Sequence, residues 1–576
     1  MIILLLILSV FCYSKENISS IRINQVGYLP SSKKLFMVVN TSPTFFNVVD
    51  AKNKKIVYKD KFAKIINDKN SGDLVLIGDF SNLTTEGEYY IEIFPSKEKS
   101  YVFKISSYVF KDVFVKTMRS FYLQRCGVEV YDEEGNLIHG KCHLEDAEFL
   151  EEHFKEPLSG IKKDFTGGWH DAGDYGKYIV NAGISCGTLL FMWELNKDKI
   201  KNISLNIPKM YETLPDVLEE IKYELDWFLK MQADDGGVYF KVAPKGFPQD
   251  IPPDKDNFKR YVYGVSSVAT ANFVAVMAIA ARVYNEFLPQ YSKICLEAAE
   301  KSWMFLKKNK NVIPENGFDD PYIKNGGYEG DKDDTDERLW AAAELYATTS
   351  KKEYHDFFVA NYKKWEPTID YPPSWLDLHV FAMIRYLFIK DADNEIKQKI
   401  KTDLLTYLDK TIKEVEQDGY RVALKEDMYY WGSNGVVLNN ALLFIVGYKL
   451  TNNKEYLDIA FDQLCYILGR NSLNKSFITK VGYNYPVNPH HAVMISKNIL
   501  LAGFLVGGPN KEPEDYVLYR YLKLNPGLPI AKRYVDIDPT TANLTKNYKG
   551  QTSYASNEPC ISYNAPLQFV LSEFLK

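Results

Sequence analysis

The repeat of the apolar residues changes near residue 107, and that change constrains the fold of this chain more than any other feature. From about 19 to 106, short β-branched or aromatic runs (RINQVGY, KLFMVVN, FFNVVD, DLVLIGDF, EYYIEIF, SYVFKI) are separated by Gly, Pro, Asn and Asp. Several strands at that spacing predict a small β-sandwich over 19–106. From Tyr108 onward the apolar residues recur every three or four positions. Within 214–231, Val217, Leu218, Ile221, Leu225, Phe228 and Leu229 share one helical face, with Pro215 and several acids in the first turn. Similar stretches near 262–285, 291–309, 335–349, 374–391, 394–416, 434–450 and 454–468 predict an all-α domain over 107–576. That many helices in one domain suit a closed ring of helical hairpins, with the chemistry carried on the longer loops.

Charge and composition exclude several functions. With 70 Lys and Arg against 75 Asp and Glu, interspersed, the chain has no basic stripe for nucleic acid and no charged tail for a membrane surface. No Rossmann or P-loop glycine motif is in place. The 41 Tyr, 33 Phe and 8 Trp are abundant. They serve a large core, and flat rings of this kind also line sugar-binding clefts. Residues 1–14 (MIILLLILSVFCYS) are too short to span a bilayer and read as a secretory signal, although a basic leading segment is missing. Asn-x-Ser/Thr sites at Asn17, Asn82, Asn202 and Asn543 suit an exported protein. No later segment looks long and apolar enough to anchor the chain.

Four constellations have the residue types for chemistry or metal binding. In GGWHDAGDYGKY (167–178), Asp171 and Asp174 sit in a Gly-rich loop flanked by aromatics. Two close carboxylates suit a site where one holds a water and the other takes its proton; a calcium loop or a plain turn has the same pattern. In YASNEPCISYNAPL (554–567), Glu558 is expected at the start of the last helix, with Pro559 in its first position. There the helix dipole favours the anion, so a proton-donating Glu558 would need apolar surroundings or a neighbouring carboxylate. Cys126, Cys142, His143 and His170 offer four zinc ligands, but the spacing is not that of a zinc finger, and for an exported protein it favours a Cys126–Cys142 disulfide. Cys186, Cys295, Cys465 and Cys560 are scattered and read as buried thiols. The stretch EGDKDDTD ahead of DERLWAAAELY (336–346) is either a solvated helix start or a calcium site built on Asp336 and Glu337.

Taken in order, these segments resemble glycoside hydrolase family 9. NQVGYLP (24–30) and GDFSNL…GEYYIEI are similar to the immunoglobulin-like module of one branch. FYLQRCG (121–127), GGWHDAGDYGKY, LPDVLEEIKYELDWFLKMQ, DERLWAAAELY, YYWGSN (429–434), YILGRN (466–471), NPHH (488–491), LVGGPN (505–510) and SNEPCISYNAPL follow in the family's order. The resemblance implies an immunoglobulin-like β-sandwich followed by an (α/α)6 barrel, and secreted inverting hydrolysis of β-1,4-glucan. Asp174 would be the general base, Asp171 would help hold the water, and Glu558 would be the general acid. It also implies a structural zinc on Cys126, Cys142, His143 and His170, reversing the disulfide preference, and a calcium near Asp336 and Glu337. His490 matches a substrate-contacting position, and Trp375, Trp431 and Tyr554 match cleft aromatics.

The chain departs from the family's pattern in places. Ala492 follows NPHH where relatives commonly have Arg, Pro559 replaces an aliphatic residue, and the insertion 536–553 is long. No cellulose-binding module is expected after the last motif. A monomer acting on a polysaccharide or oligosaccharide, without an organic cofactor, is expected. Competing readings are an exo-acting β-glucosidase-like or glucosaminidase-like enzyme, a non-catalytic glucan-binding protein, and a zinc metallohydrolase.

Overall fold

The computed structural model describes residues 19–154, 157–248, 250–322, 330–538 and 552–576. The expected signal over 1–14, Asn17, Asn543 and most of the 536–553 insertion lie outside the described residues.

The N-terminal strands are β1 (Ile21–Arg22), β2 (Gly27–Tyr28), β3 (Leu35–Val39), β4 (Phe45–Asp50), β5 (Ile56–Asp60), β6 (Lys64–Asn67), β7 (Leu74–Asp79), β8 (Gly87–Phe94), β9 (Glu98–Lys99) and β10 (Phe103–Ile105). One sheet has the order β1-β3-β7-β6 and the other β2-β10-β8-β4-β5, with β9 on β8. In the first, Met37 lies opposite Ile77, and in the second Val48 lies opposite Ile91. The apolar runs put buried rings between the sheets. Phe36 meets Phe46 edge-on at 4.8 Å, and Tyr28 meets Phe80 at 5.2 Å. Edge-on pairs of this kind add about 0.5–1.5 kcal/mol beyond their buried area.

The NQVGY segment fixes this module to the helical domain. The Gln25 backbone N–H donates to Leu468 O at 2.9 Å, and its side-chain amide donates to Asn474 O at 2.8 Å. The Gln25 side-chain oxygen accepts the N–H groups of Tyr483 and Asn484. A buried amide with its donors and acceptor matched sets the register of the two domains.

Beyond residue 110 the chain is mainly helical: α1 (Lys111–Leu123), α2 (Ile179–Ile200), α3 (Asp216–Lys230), α4 (Ser267–Tyr284), α5 (Pro289–Lys308), α6 (Thr335–Thr349), α7 (Lys352–Asn361), α8 (His379–Phe388), α9 (Asn394–Gln417), α10 (Ser433–Thr451), α11 (Lys454–Ile467), α12 (Ala492–Lys497), α13 (Tyr516–Leu524), α14 (Tyr554–Asn557) and α15 (Ile561–Glu573). Helix α2 packs on α4, α4 on α6, α6 on α8, α10 on α15, and α15 back on α2, with α9 touching both α8 and α10. Helices α4 and α10 are apolar and buried on almost every face, as inner helices must be. Helices α3, α5, α7 and α11 flank this inner set and are amphipathic or partly exposed. One expectation fails here. Ser267–Tyr284 is long and apolar enough to cross a membrane, yet 94% of it is buried inside the helical domain. Its hydropathy reflects burial on all sides by other helices.

Candidate active site

The 167–178 loop lies between two anchors. On one side Cys126 N–H donates to Gly168 O at 2.8 Å, and His170 N–H donates to Gln124 O at 2.7 Å. On the other, Tyr178 begins α2 in extended backbone, its strand position paired with Lys241. Two acids of α3 hold the loop from beneath. Glu220 accepts the Trp169 indole N–H at 2.9 Å and a two-pronged contact from Arg125 at 3.1 and 3.0 Å, and Glu224 accepts the Trp169 backbone N–H. Both acids are fully buried, one turn apart on the helix. Burial pushes Glu224 up to about 8.

Asp171 is buried and accepts the Asn181 side-chain N–H, while its backbone carbonyl takes Ile561 N–H at 3.0 Å. Asp174 opens to the cleft. One of its oxygens accepts Gly176 N–H at 3.0 Å and the other the Tyr178 hydroxyl at 3.2 Å. Burial raises the Asp174 carboxyl, opposed by these two donors and by the charges of Arg260 and Lys241.

Glu558 does not begin the last helix. It follows α14 in extended backbone (φ −86°, ψ 129°), and α15 starts at Ile561. The physical reason is Pro559, whose ring disfavours helical geometry in the residue before it. Glu558 therefore sits outside the first turn of α15, and the expected dipole is not the dominant influence on it. Burial, then Asp174 and Asp171, push its carboxyl well above the usual range, against one N–H from Gly173 at 3.4 Å. Glu558 thus faces the Asp171–Asp174 loop, although 384 positions separate it from Asp174 in sequence.

The NPHH segment closes the arrangement. Ala492 N–H donates to Gly173 O at 3.0 Å, and His490 N–H donates to Asn557 O at 3.0 Å. A Cβ on Gly173 would lie 2.5 Å from His490 O, so only glycine admits this approach. Burial lowers His490 to about 4, leaving a neutral imidazole whose Nδ1 meets the Thr552 hydroxyl at 3.1 Å.

Asp171, Asp174, Glu558, His490, Trp375, Trp431 and Tyr554 all line one cleft of about 1460 Å³. Trp431 and Tyr554 rings lie 5.2 Å apart, and His490 meets Tyr554 edge-on at 5.6 Å. Ala492 lies in the same wall. The cleft also gathers residues not singled out from the sequence, among them Tyr178, Tyr563, Asp250 and Glu514. Cys560, read as an ordinary buried thiol, is buried but lines the cleft too. Tyr178 and Tyr563 stand inside quoted motifs, whereas nothing local in the sequence marks Asp250 or Glu514.

Cys126, Cys142, His143 and His170 come together with their ligand atoms within 4.8 Å of one another, the one group this tight among the described residues. The cysteines are free thiols, so the disulfide expected from spacing is not formed. The separations Cys126 Sγ–His143 Nδ1 3.5 Å, His143 Nδ1–His170 Nε2 3.2 Å and Cys142 Sγ–His170 Nε2 4.0 Å are close to tetrahedron edges. Zinc bond lengths give edges of about 3.3 Å between nitrogens and about 3.8 Å between sulfurs. Asp256 holds the far nitrogen of His143 at 3.2 Å, the supporting contact a metal-bound imidazole needs. Burial lowers His170 to about 4, which suits a neutral ligand.

Asp336 and Glu337 lie at the start of α6, away from the cleft lining. Asp336 accepts Leu378 N–H at 2.6 Å, and burial raises it to about 6. Both Glu337 oxygens and one of Asp331 are buried without a donor among the described residues. Such oxygens have the chemistry of hard-cation ligands.

An acid and a base candidate in a ring-walled cleft, on loops of a helical domain behind a β-sandwich, define the class: a two-domain glycoside hydrolase. The chain belongs to glycosyl hydrolase family 9, whose sequence profile matches residues 110–571, preceded by a match to the cellulase N-terminal Ig-like domain over 16–97. It is 35% identical to Endoglucanase D of Acetivibrio thermocellus over 97% of this chain and 83% of that protein. It is 32% identical to a xyloglucan-specific endo-beta-1,4-glucanase of Bacteroides ovatus over 95% of this chain and 92% of the relative. Among solved structures, a Zn-binding triple mutant of the family 9 endoglucanase J30 superposes with a TM-score of 0.88 at 33% identity, covering 95% of this chain and 99% of the other.

Proposed function

We propose that this chain is an endo-acting β-1,4-glucanase that cuts by a single displacement with inversion. Asp174 takes a proton from the attacking water, Asp171 helps hold that water, and Glu558 protonates the leaving oxygen. The observation that carries this reading is the contrast between the two carboxyls. Desolvation and the acids beside it push the half-buried Glu558 carboxyl well above the usual range, whereas Asp174, though also raised by burial, receives two hydrogen bonds and two cationic influences that favour its anion. Environments that separate two titrating groups in this way assign the acid and the base. Inversion needs carboxyls roughly 6.5–9.5 Å apart, with water between base and sugar.

Trp375, Trp431 and Tyr554 offer ring faces to glucose units, and neutral His490 offers a hydrogen bond to a hydroxyl. The helical domain is an (α/α)6 barrel in this reading, supported by the sequence of packed inner helices that returns from α15 to α2. The domains divide at about residue 107, and residues 1–14 direct secretion of a monomer. Zinc on the Cys126–Cys142–His143–His170 set is structural, because four protein ligands leave no open position. It would tie the 126–143 segment to the loop bearing Asp171. Calcium is assigned to Asp336 and Glu337 on the strength of the undonated buried oxygens of Glu337 and of the nearby Asp331.

The test pairs viscosity with reducing-end release on soluble hydroxyethyl-cellulose. Rapid viscosity loss for few ends released is expected. Slow viscosity loss in step with the ends would indicate an exo-acting enzyme.

A further inference from the structure

The second tyrosine of the DYGKY segment occupies a position that neither its helix nor its strand explains. Its ring folds back over the preceding loop to reach Asp174, and the hydroxyl donates to one carboxylate oxygen at 3.2 Å while Gly176 N–H serves the other at 3.0 Å. The intervening residue is shaped for this. A Cβ on Gly176 would lie 2.5 Å from the Tyr178 ring, so the fold-back requires glycine there. The ring is buried, lines the cleft, and lies 5.4 Å beneath the Lys241 ammonium, itself held by Asp320 at 2.6 Å.

We propose that Tyr178 is the positioning residue for the catalytic base, its hydroxyl fixing the rotation of the Asp174 carboxylate and holding it as the anion. The inference rests on the reading of Asp174 as the base. A carboxylate with both oxygens committed to fixed donors presents its remaining lone pairs to a water in one orientation, so little reorganisation is needed when the proton moves. The charged and titrating groups around Asp174 are Arg260 and Lys241 from the adjoining strands, Asp171 in its own loop and Glu558 beyond α14. Arg260 and Lys241 favour its anion, and burial opposes it. Among the described residues, Tyr178 is the side chain that donates a hydrogen bond to it.

The experiment is Tyr178→Phe, which keeps the ring, the contact with Lys241 and the start of α2 while removing one hydroxyl. On hydroxyethyl-cellulose, kcat should fall about tenfold with KM within twofold. The acidic limb of kcat/KM should move upward by about one pH unit, because the base then ionises less readily. Replacing Tyr178 with a ring-fluorinated tyrosine, a stronger donor, should move that limb downward. Melting temperatures within a few degrees of the parent would exclude a folding defect as the cause. An acidic limb at the same pH for tyrosine, phenylalanine and fluorotyrosine overturns the proposal, provided Asp174→Asn is inactive. An active Asp174→Asn would instead remove the reading of Asp174 on which the proposal stands.

Discussion

Replacing Glu558 with Gln separates proton donation from every other role this residue has. The amide keeps the size of the side chain and keeps an oxygen to accept Gly173 N–H. It removes the one proton that burial and the Asp171–Asp174 pair hold in place. A sugar alkoxide is a poor leaving group, so cleavage of glucan should lose the full value of general acid catalysis, about 10²–10⁴-fold. A 2,4-dinitrophenyl cellobioside releases a stable anion that needs no proton, and its hydrolysis should fall by less than about tenfold. Asp174→Asn should be slow on both substrates, because water must be activated in either case. The alkaline limb of the parent's pH profile, set by loss of the Glu558 proton, should vanish in Glu558→Gln on the activated substrate. The assays are initial rates on both substrates from pH 4 to 10, with melting temperature as a check on folding. Equal losses on both substrates would refute the assignment of Glu558 as the acid, as would an unimpaired rate on glucan.

Three further outcomes are expected. Metal analysis should find one zinc per chain, and Cys142→Ser should lower the melting temperature more than activity per folded molecule; a Cys126–Cys142 disulfide found by mass spectrometry would contradict the site. Ala492→Arg adds a five-donor fork to the cleft wall, worth about 1.5–3 kcal/mol per charge-assisted bond, and should raise turnover of short cello-oligosaccharides more than of polymer; no change on either would show that other groups serve that subsite. At the seam between the domains, burial and the facing Asp68 push Asp418 up to about 8. The folded state then holds a proton that the unfolded chain releases near pH 4, so this group costs stability progressively as pH rises from about 4 to about 8. Asp418→Asn should therefore melt higher than the parent by a margin that widens over that range, and a constant margin would count against the buried proton.

The period of the apolar residues carried the two architectures, because a strand alternates and a helix repeats every 3.6 residues whatever surrounds them. The 216–230 helix and the helices at 335–349 and 454–467 lie within a few residues of the sequence expectation. Local motifs also marked Asp171, Asp174 and Glu558. Their convergence was not legible without the family resemblance, since Ile561 N–H meeting Asp171 O and Ala492 N–H meeting Gly173 O join residues more than 300 apart. By sequence Glu220 and Glu224 look like ordinary polar positions on an amphipathic helix. They are buried because Trp169 and Arg125, remote in sequence, supply their donors. Pro559 suits a first helical position by its sequence, but its effect on the preceding residue decides the backbone of Glu558. Tyr178 escaped notice for a similar reason: its partner lies four residues back across a turn that only Gly176 allows.

The anomeric form of the newly released sugar tests the mechanism most directly. With water delivered by Asp174 opposite the bond protonated by Glu558, each cut should invert the reacting carbon. Proton NMR in the first minutes of cello-oligosaccharide hydrolysis, before mutarotation, should show the new reducing end as the α-anomer. A β-anomeric product would mean a second displacement through a covalent intermediate, and would contradict the assignment of Asp174 as a base acting on water.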